Sequence, residues 1–421
     1  MKKIQYLRLI VFVGIVVIAL VFIGMNVAKA QEKSKGKPPD KGKPPKVTCN
    51  NNGICEAGEL DDCADCQNSA ALNTEGIQIV TVGDEKRVYQ IKYEDGTYQN
   101  TWVSHLTDAD LKGVCIGNIE NDGVKEIIAA SKSKKRGKDR WKLLLYKNGS
   151  WGEPFYTSPF LGISTMFKIS LQIADADNDM GNGNELIAGM GKHIEIYRWT
   201  GNEFMMVWAS REFIGGVYYI DVGDADNDGE NEILITAIST QSPIILKYLG
   251  NDTWGDEQSI DPVDINCLDV TRPRDSDNIM DEFGNYDNEV IAGGCNSKLM
   301  VWKYNKDMSH YESVFVSDTL DHFTQGIDAG NIDNDEKNEV IVGTAGDEGL
   351  IYVFKYTNGE YFLVGSWFAG GCDSLLVGNL DNDPEDEVVV GRSTGIKIFD
   401  YSEGELNLTF HFPCGKYPDI K

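Results

Sequence analysis

The stretch Asp224-Ala225-Asp226-Asn227-Asp228-Gly229-Glu230-Asn231-Glu232 lies between two apolar runs, Val217–Val222 before it and Ile233–Ala237 after it. Both runs read as short strands, so the acidic segment joins strand to strand. Its side-chain oxygens at loop positions 1, 3 and 5, a backbone carbonyl at 7 and a carboxylate at 9 suit a hard cation such as Ca²⁺, which takes about six to eight oxygen ligands. Gly229 at position 6 permits the bend. A turn held by Asx hydrogen bonds without metal is the competing reading. Five further copies begin at Asn118, Asp175, Asp275, Asn331 and Asn379, about fifty residues apart, and each ends in a Glu followed by an apolar run.

Between the acidic loops a second piece recurs, a hairpin of aliphatic and aromatic residues with a polar turn. Examples are Val88–Tyr93 turning at Glu94-Asp95-Gly96, and Ile351–Phe354 turning at Asn358-Gly359. Seven such hairpins, each joined to a strand, an acidic loop and another strand, predict an all-β, seven-bladed β-propeller over residues 72–421. The first blade lacks an innermost strand of its own. A ring must close to hide its edges, so the tail Phe412–Lys421 is expected to complete that blade from the other end of the chain.

Upstream of residue 72 the composition changes. Residues 1–30 have a basic start, an apolar stretch and an Ala28-Lys29-Ala30 site, the form of a secretory signal peptide or, if uncut, a membrane anchor. Residues 31–46 are rich in Lys, Pro and Gly and read as a linker. Residues 47–67 hold Cys49, Cys55, Cys63 and Cys66, which in an exported chain read as a two-disulfide module, with half a zinc site as the lesser alternative. The chain is therefore expected to be secreted or displayed at the cell surface. Sequons at Asn148, Asn251 and Asn407 are compatible with that.

The formal charge is −27, and residues 1–46 carry ten Lys and Arg against Glu32 and Asp40, so the remainder carries about −35. Nucleic acid is excluded as a partner on that ground. The other five cysteines are Cys115, Cys267, Cys295, Cys372 and Cys414. Two disulfides are expected, Cys267 with Cys295 across the fourth acidic loop and Cys372 with Cys414 as a latch on the ring, with buried thiols as the alternative.

The residues Asp224–Glu232 and the apolar run after them resemble the FG-GAP, or VCBS, repeat, the calcium-loop blade of integrin α-subunit propellers and of many exported microbial proteins. The likeness covers residues 72–421. It implies several structural Ca²⁺ ions in the loops between first and second strands. Matched residue by residue, it implies ligands at Asp224, Asp226, Asp228 and Glu232, with Glu230 binding by its carbonyl. Asp175, Asp177, Asp179 and Glu185 match with two extra residues in the loop. Asn331, Asp333, Asp335 and Glu339 match without the glycine, as do Asn379, Asp381, Asp383 and Glu387. Asn118, Glu120, Asp122 and Glu126 match less closely because Glu120 is longer than the usual Asp. In the fourth loop an insertion separates Asp275 and Asp277 from Glu289, and Asp281 is one option for a middle ligand. The segment Asn52–Glu59 with Cys63-Ala-Asp-Cys66 resembles a small cysteine module of exported microbial proteins.

These features predict a non-catalytic recognition or adhesion module for an extracellular glycan or protein. The alternatives are a polysaccharide-processing lyase or hydrolase and a structural envelope component. Aromatics at the blade junctions, Phe160, Phe167, Phe213, Tyr218, Phe323, Trp367 and Phe368, suit either stacking on a ligand or core packing. The basic segment Ser131–Arg140 reads as a finger for an anionic partner or as a mobile loop. The sequence holds no GxSxG, HExxH or Walker motif. Its five histidines are scattered, and His105 and His322 are the two placed to reach a channel mouth.

Overall fold

The apolar run after each acidic loop becomes a strand covered on both faces. Glu185–Met190, Glu232–Ala237, Glu289–Gly294 and Glu339–Thr344 are buried along their whole length. Continuous burial of this kind needs a sheet on each side, because successive side chains point to opposite faces. A computed structural model supplies those sheets. It describes residues 71–420 apart from 84, 136–137, 162–168, 180, 238–241, 257–258, 263–267, 280–286 and 336. The expected signal segment, linker and cysteine module, with Cys49, Cys55, Cys63 and Cys66, lie outside the described residues, as do Phe167, Cys267 and Asp281.

The described residues form no helix. They build seven antiparallel sheets whose strands follow chain order from innermost to outermost, so the protein is a seven-bladed β-propeller. Blade 4 shows the pattern, with Val217–Gly223, Glu232–Ala237, Ile244–Tyr248 and Trp254–Asp256 paired in succession. Blade 1 departs from it as expected. Tyr417–Ile420 pairs with Ile79–Val82, so the last strand of the chain is the innermost strand of the first blade. Blade 5 gains a fifth strand, Ser259–Ile260, laid parallel along its outer edge.

Buried apolar side chains divide into seven clusters, one at each junction between neighbouring blades, including the junction of blade 7 with blade 1. Alternation along the second strand explains this division. Val388 and Val390 pack toward blade 6, whereas Val389 packs toward blade 1. Each fully buried Val, Leu or Ile contributes about 1.5–3 kcal/mol, so no single junction holds the ring by itself.

The axis is narrow. A cavity of about 140 Å³ lies among the innermost strands of several blades, lined by Tyr219, Arg272, Arg274, Asp328 and Asp419 among others. Gly326 on the innermost strand of blade 6 shows how close the strands come, since a Cβ there would sit 2.4 Å from Leu375 Cβ and 2.7 Å from its backbone nitrogen.

Two expectations change. No disulfide latches the ring, because Cys372 and Cys414 are both buried thiols. They belong to the cores on opposite sides of blade 7, and Cys372 Sγ donates instead to Ser374 O at 3.1 Å. The basic segment is also not a loop. Glu126–Lys135 and Lys138–Tyr146 stay paired out to Lys135 and Lys138, so it is a lengthened hairpin. Around the fourth acidic loop, Leu268 pairs with Gly294, the register that a Cys267–Cys295 bridge requires, and Cys295 is disulfide-bonded. Cys115 is a buried thiol.

Candidate metal centre

All six acidic loops join first to second strands and therefore share one rim. Each turns at an asparagine in the left-handed region, Asn121, Asn178, Asn227, Asn278, Asn334 and Asn382, with φ between 55° and 68°. Asparagine tolerates that conformation better than other side-chain-bearing residues. Gly123 and Gly229 at position 6 also have positive φ, but the loops without glycine there turn as well. The bend is therefore set at position 4.

The glutamate that ends each loop, at position 9 in the four regular copies, closes it. One of its oxygens accepts the backbone N–H of position 2, at 3.0 Å for Glu126 with Ile119, 3.1 Å for Glu185 with Ala176, and 2.8 Å for Glu232 with Ala225. The same bond measures 2.8 Å for Glu289 with Ser276, 3.2 Å for Glu339 with Ile332 and 2.5 Å for Glu387 with Leu380. All six glutamates are buried. Burial pushes their carboxyls up, to about 7 at Glu126, Glu185 and Glu339 and to about 8 at Glu232 and Glu387. Glu289 moves in the same direction. Burial disfavours the charged carboxylate unless a positive charge lies close to it.

Three of the carboxylates named from sequence converge in each of five loops. Oxygens of Glu120, Asp122 and Glu126 lie within 4.8 Å of one another, as do those of Asp175, Asp177 and Glu185 and those of Asp224, Asp226 and Glu232. Asp275, Asp277 and Glu289 form a fourth group, and Asp333, Asp335 and Glu339 a fifth. Several acceptors in these loops are buried without a hydrogen-bond partner, namely Asp175 Oδ1, Asp226 Oδ1, Asn331 Oδ1 and Asp333 Oδ1. Orphaned oxygens beside converging carboxylates fit a hard divalent ion.

Other oxygens named from sequence are turned to the backbone. Asp224 accepts the N–H groups of Asp228 and Gly229 at 3.1 and 2.9 Å, Asn118 accepts that of Asp122 at 3.2 Å, and Asp179 accepts that of Gly181 at 3.0 Å. Asx bonding and carboxylate convergence thus coexist. In blade 7, Asn379 accepts the N–H of Asn382 at 2.8 Å, and Asp381 and Asp383 accept those of Asp383 and Glu385 at 3.1 and 3.0 Å.

Sequence reasoning missed two sets of residues. A cation on the third strand, or one residue past it in blade 2, reaches into the loops of blades 2 to 6. Lys147 lies 2.6 Å from Glu120, Arg198 2.9 Å from Glu185, Lys247 2.5 Å from Asp226, Lys303 2.9 Å from Asp277, and Lys355 2.5 Å from Asp335. The signal was a basic residue recurring at one place in the hairpins. Asparagines at positions 4 and 8 form the second set, a clasp between successive loops. Asn178 Oδ1 accepts the N–H of Asn231 at 2.7 Å, and Asn231 Nδ2 donates to Asp175 O at 2.8 Å. Asn227 with Asn288 and Asn278 with Asn338 repeat it across the next two junctions.

Inside the ring, Arg272 and Arg274 meet Asp221 and Asp328. Arg274 Nε donates to Asp328 Oδ1 at 2.8 Å, and Arg272 Nη1 lies 3.2 Å from Asp221 Oδ2. Neither His105 nor His322 lines this cavity. His105 is 2.7 Å from Glu153, His193 3.0 Å from Glu195, and His310 2.8 Å from Asp261. Of the junction aromatics, Phe213 is core, whereas Phe323 and Phe368 are exposed.

No family model matches the chain, and no curated protein matches it. Solved structures do. A protein from Lactobacillus plantarum superposes with a TM-score of 0.55 at 10% identity, covering 82% of this chain and 99% of that one. A putative 6-phosphogluconolactonase from Bacteroides uniformis gives 0.55 at 13% identity, covering 83% and 100%. The periplasmic gluconolactonase of Pseudomonas aeruginosa gives 0.54 at 9% identity, covering 82% and 99%. What this chain shares with them at such identities is the β-propeller fold.

Proposed function

We propose that the chain is an exported calcium-binding propeller of the FG-GAP type that acts as a non-catalytic recognition module for an extracellular glycan or protein. The observation that carries this reading is the confinement of six acidic loops to one rim. A hard divalent ion would be held by the carboxylates at positions 3 and 9, with those at 1 and 5 where they turn inward, and would supply charge neutralisation and rigidity. The opposite rim is left to the blade junctions and the connections between second and third strands, and Phe323, Phe368 and Ile214 are exposed at the junctions. Exposed aromatics of this sort supply contact area for a sugar face or a protein. The leader at residues 1–30 supports export.

Thermal melting with calcium and with excess chelator tests the metal, because an ion that binds only the folded state raises its stability. The expected result is a higher midpoint with calcium, and metal analysis finding calcium in the purified protein. An unchanged midpoint and no bound calcium would remove the metal from the reading. Glycan-array and surface-protein binding, with loss on Phe368→Ala, test recognition. New reducing ends or unsaturated products would turn the reading to a polysaccharide hydrolase or lyase.

A further inference from the structure

The six acidic loops are not equivalent. Glu339 pairs in register with Lys355, and the same register sets Glu126, Glu185, Glu232 and Glu289 opposite Lys147, Arg198, Lys247 and Lys303. In blades 2 to 6 a tethered cation therefore faces the closing glutamate and touches the loop carboxylates. The Lys247 ammonium lies 2.5 Å from Asp226 Oδ2 and 2.7 Å from Asp228 Oδ2. In blade 7 the pairing of Val388 with Phe399 sets Glu387 opposite Asp400. An acid stands where the other five loops have a base.

Blade 7 thus gathers Asp381, Asp383, Glu387 and Asp400, and among the described residues no lysine or arginine pairs with any of them. Asp381, Asp383 and Asp400 each bring negative charge to bear on Glu387. A separate observation comes from the neighbouring blade. Tyr98 is 8% exposed, its hydroxyl is buried without a hydrogen-bond partner, and it packs on Phe410 with ring centroids 5.6 Å apart. After burial, the charges that act on it most are those of Glu387, Asp381 and Asp400, so the phenol faces this cluster. The corresponding hydroxyl over the blade 4 loop, that of Tyr311, is likewise buried without a hydrogen-bond partner, whereas over the blade 5 loop Tyr361 is 2.8 Å from Ser276 Oγ.

We infer that the loop Asn379–Glu387 together with Asp400 is the tight divalent-cation site of the rim, while in blades 2 to 6 the lysines and arginine opposite the closing glutamates compete with an ion for the loop carboxylates. The inference rests on the reading that these loops bind calcium, and it adds which loop does so first. In blades 2 to 6 an ion must displace a tethered ammonium or guanidinium, whereas in blade 7 it has nothing to displace and one more carboxylate to bind. The site adjoins Tyr98 of blade 1, so an ion there braces the seam where the ring closes.

Calorimetric titration of calcium into the chelator-treated full chain reads the number of sites directly. One site at least about tenfold tighter than any other is expected. Asp400→Lys, which copies the other blades, should remove that site and make the melting temperature insensitive to chelator. Lys355→Met should add a second tight site in blade 6. If Asp400→Lys does not fold, Asp400→Asn is read instead and should weaken the tight site about tenfold or more. Several equal sites in the wild type, or tight binding that survives loss of the Asp400 carboxylate, would overturn the inference and leave calcium binding standing. Absence of any calcium binding would remove both.

Discussion

The glutamate that closes each acidic loop gives its two oxygens different tasks. In blade 6, Glu339 Oε2 accepts the Ile332 N–H while Oε1 lies 3.1 Å from Lys355. One oxygen maintains the turn whether or not a metal arrives, and the other is turned toward positive charge. Asparagine does comparable double work. Asn178 takes the left-handed bend and accepts the Asn231 N–H across the junction of blades 3 and 4. Asn178→Ala should cost about 2–3 kcal/mol in chemical denaturation, from a lost hydrogen bond and a strained φ. Asn178→Gly should recover the part due to φ. Equal losses for the two variants would show that the clasp alone matters. The acids at positions 3 and 9 were legible because their oxygens recur at fixed spacing. The third-strand cations were not, because Lys355 lies 16 residues after Glu339 in the chain and meets it only through strand register.

Blades fit together because certain inner-strand positions carry no side chain. Gly326→Ala would press a methyl group into Leu375, including its backbone nitrogen, so blades 6 and 7 would have to part. Overpacking of this kind typically costs about 1–3 kcal/mol, and the expected result is a lower midpoint with unchanged far-ultraviolet strand signal. No loss of stability would mean that the inner strands yield more readily than their spacing indicates. Strand existence and order were legible from the alternation of apolar residues and the polar turns. Cysteine pairing was less so. Cys372 and Cys414 hold similar places along neighbouring segments, but sequence position does not reveal that they enter cores on opposite sides of one sheet. Nor did composition reveal that the basic stretch Ser131–Arg140 is hairpin, since lysines and arginines on paired strands look the same in sequence as those in a loop.

Seven junctions and one seam define the whole molecule. At the seam Tyr417–Ile420 pairs with Ile79–Val82, and Asp419 Oδ2 accepts the Ile116 N–H at 2.9 Å, which ties the last strand to blade 2 as well. Ending the chain at Lys416 removes that strand and uncovers an edge. The shortened protein should melt at a lower temperature and be cut by protease first within residues 79–103, which mass spectrometry of the fragments would locate. Survival of a fully resistant blade 1 would show that the final strand is dispensable. The number of blades and the closure were legible because a ring has to end where it began. The paired arginines at the axis were not, since Arg272 and Arg274 read as ordinary polar residues of a strand until the neighbouring blades on either side bring Asp221 and Asp328 to them. The same seam sets an order of birth: a nascent chain can assemble its middle blades as they emerge, but the earliest sheet must wait, half-built, until Tyr417–Ile420 has been synthesised.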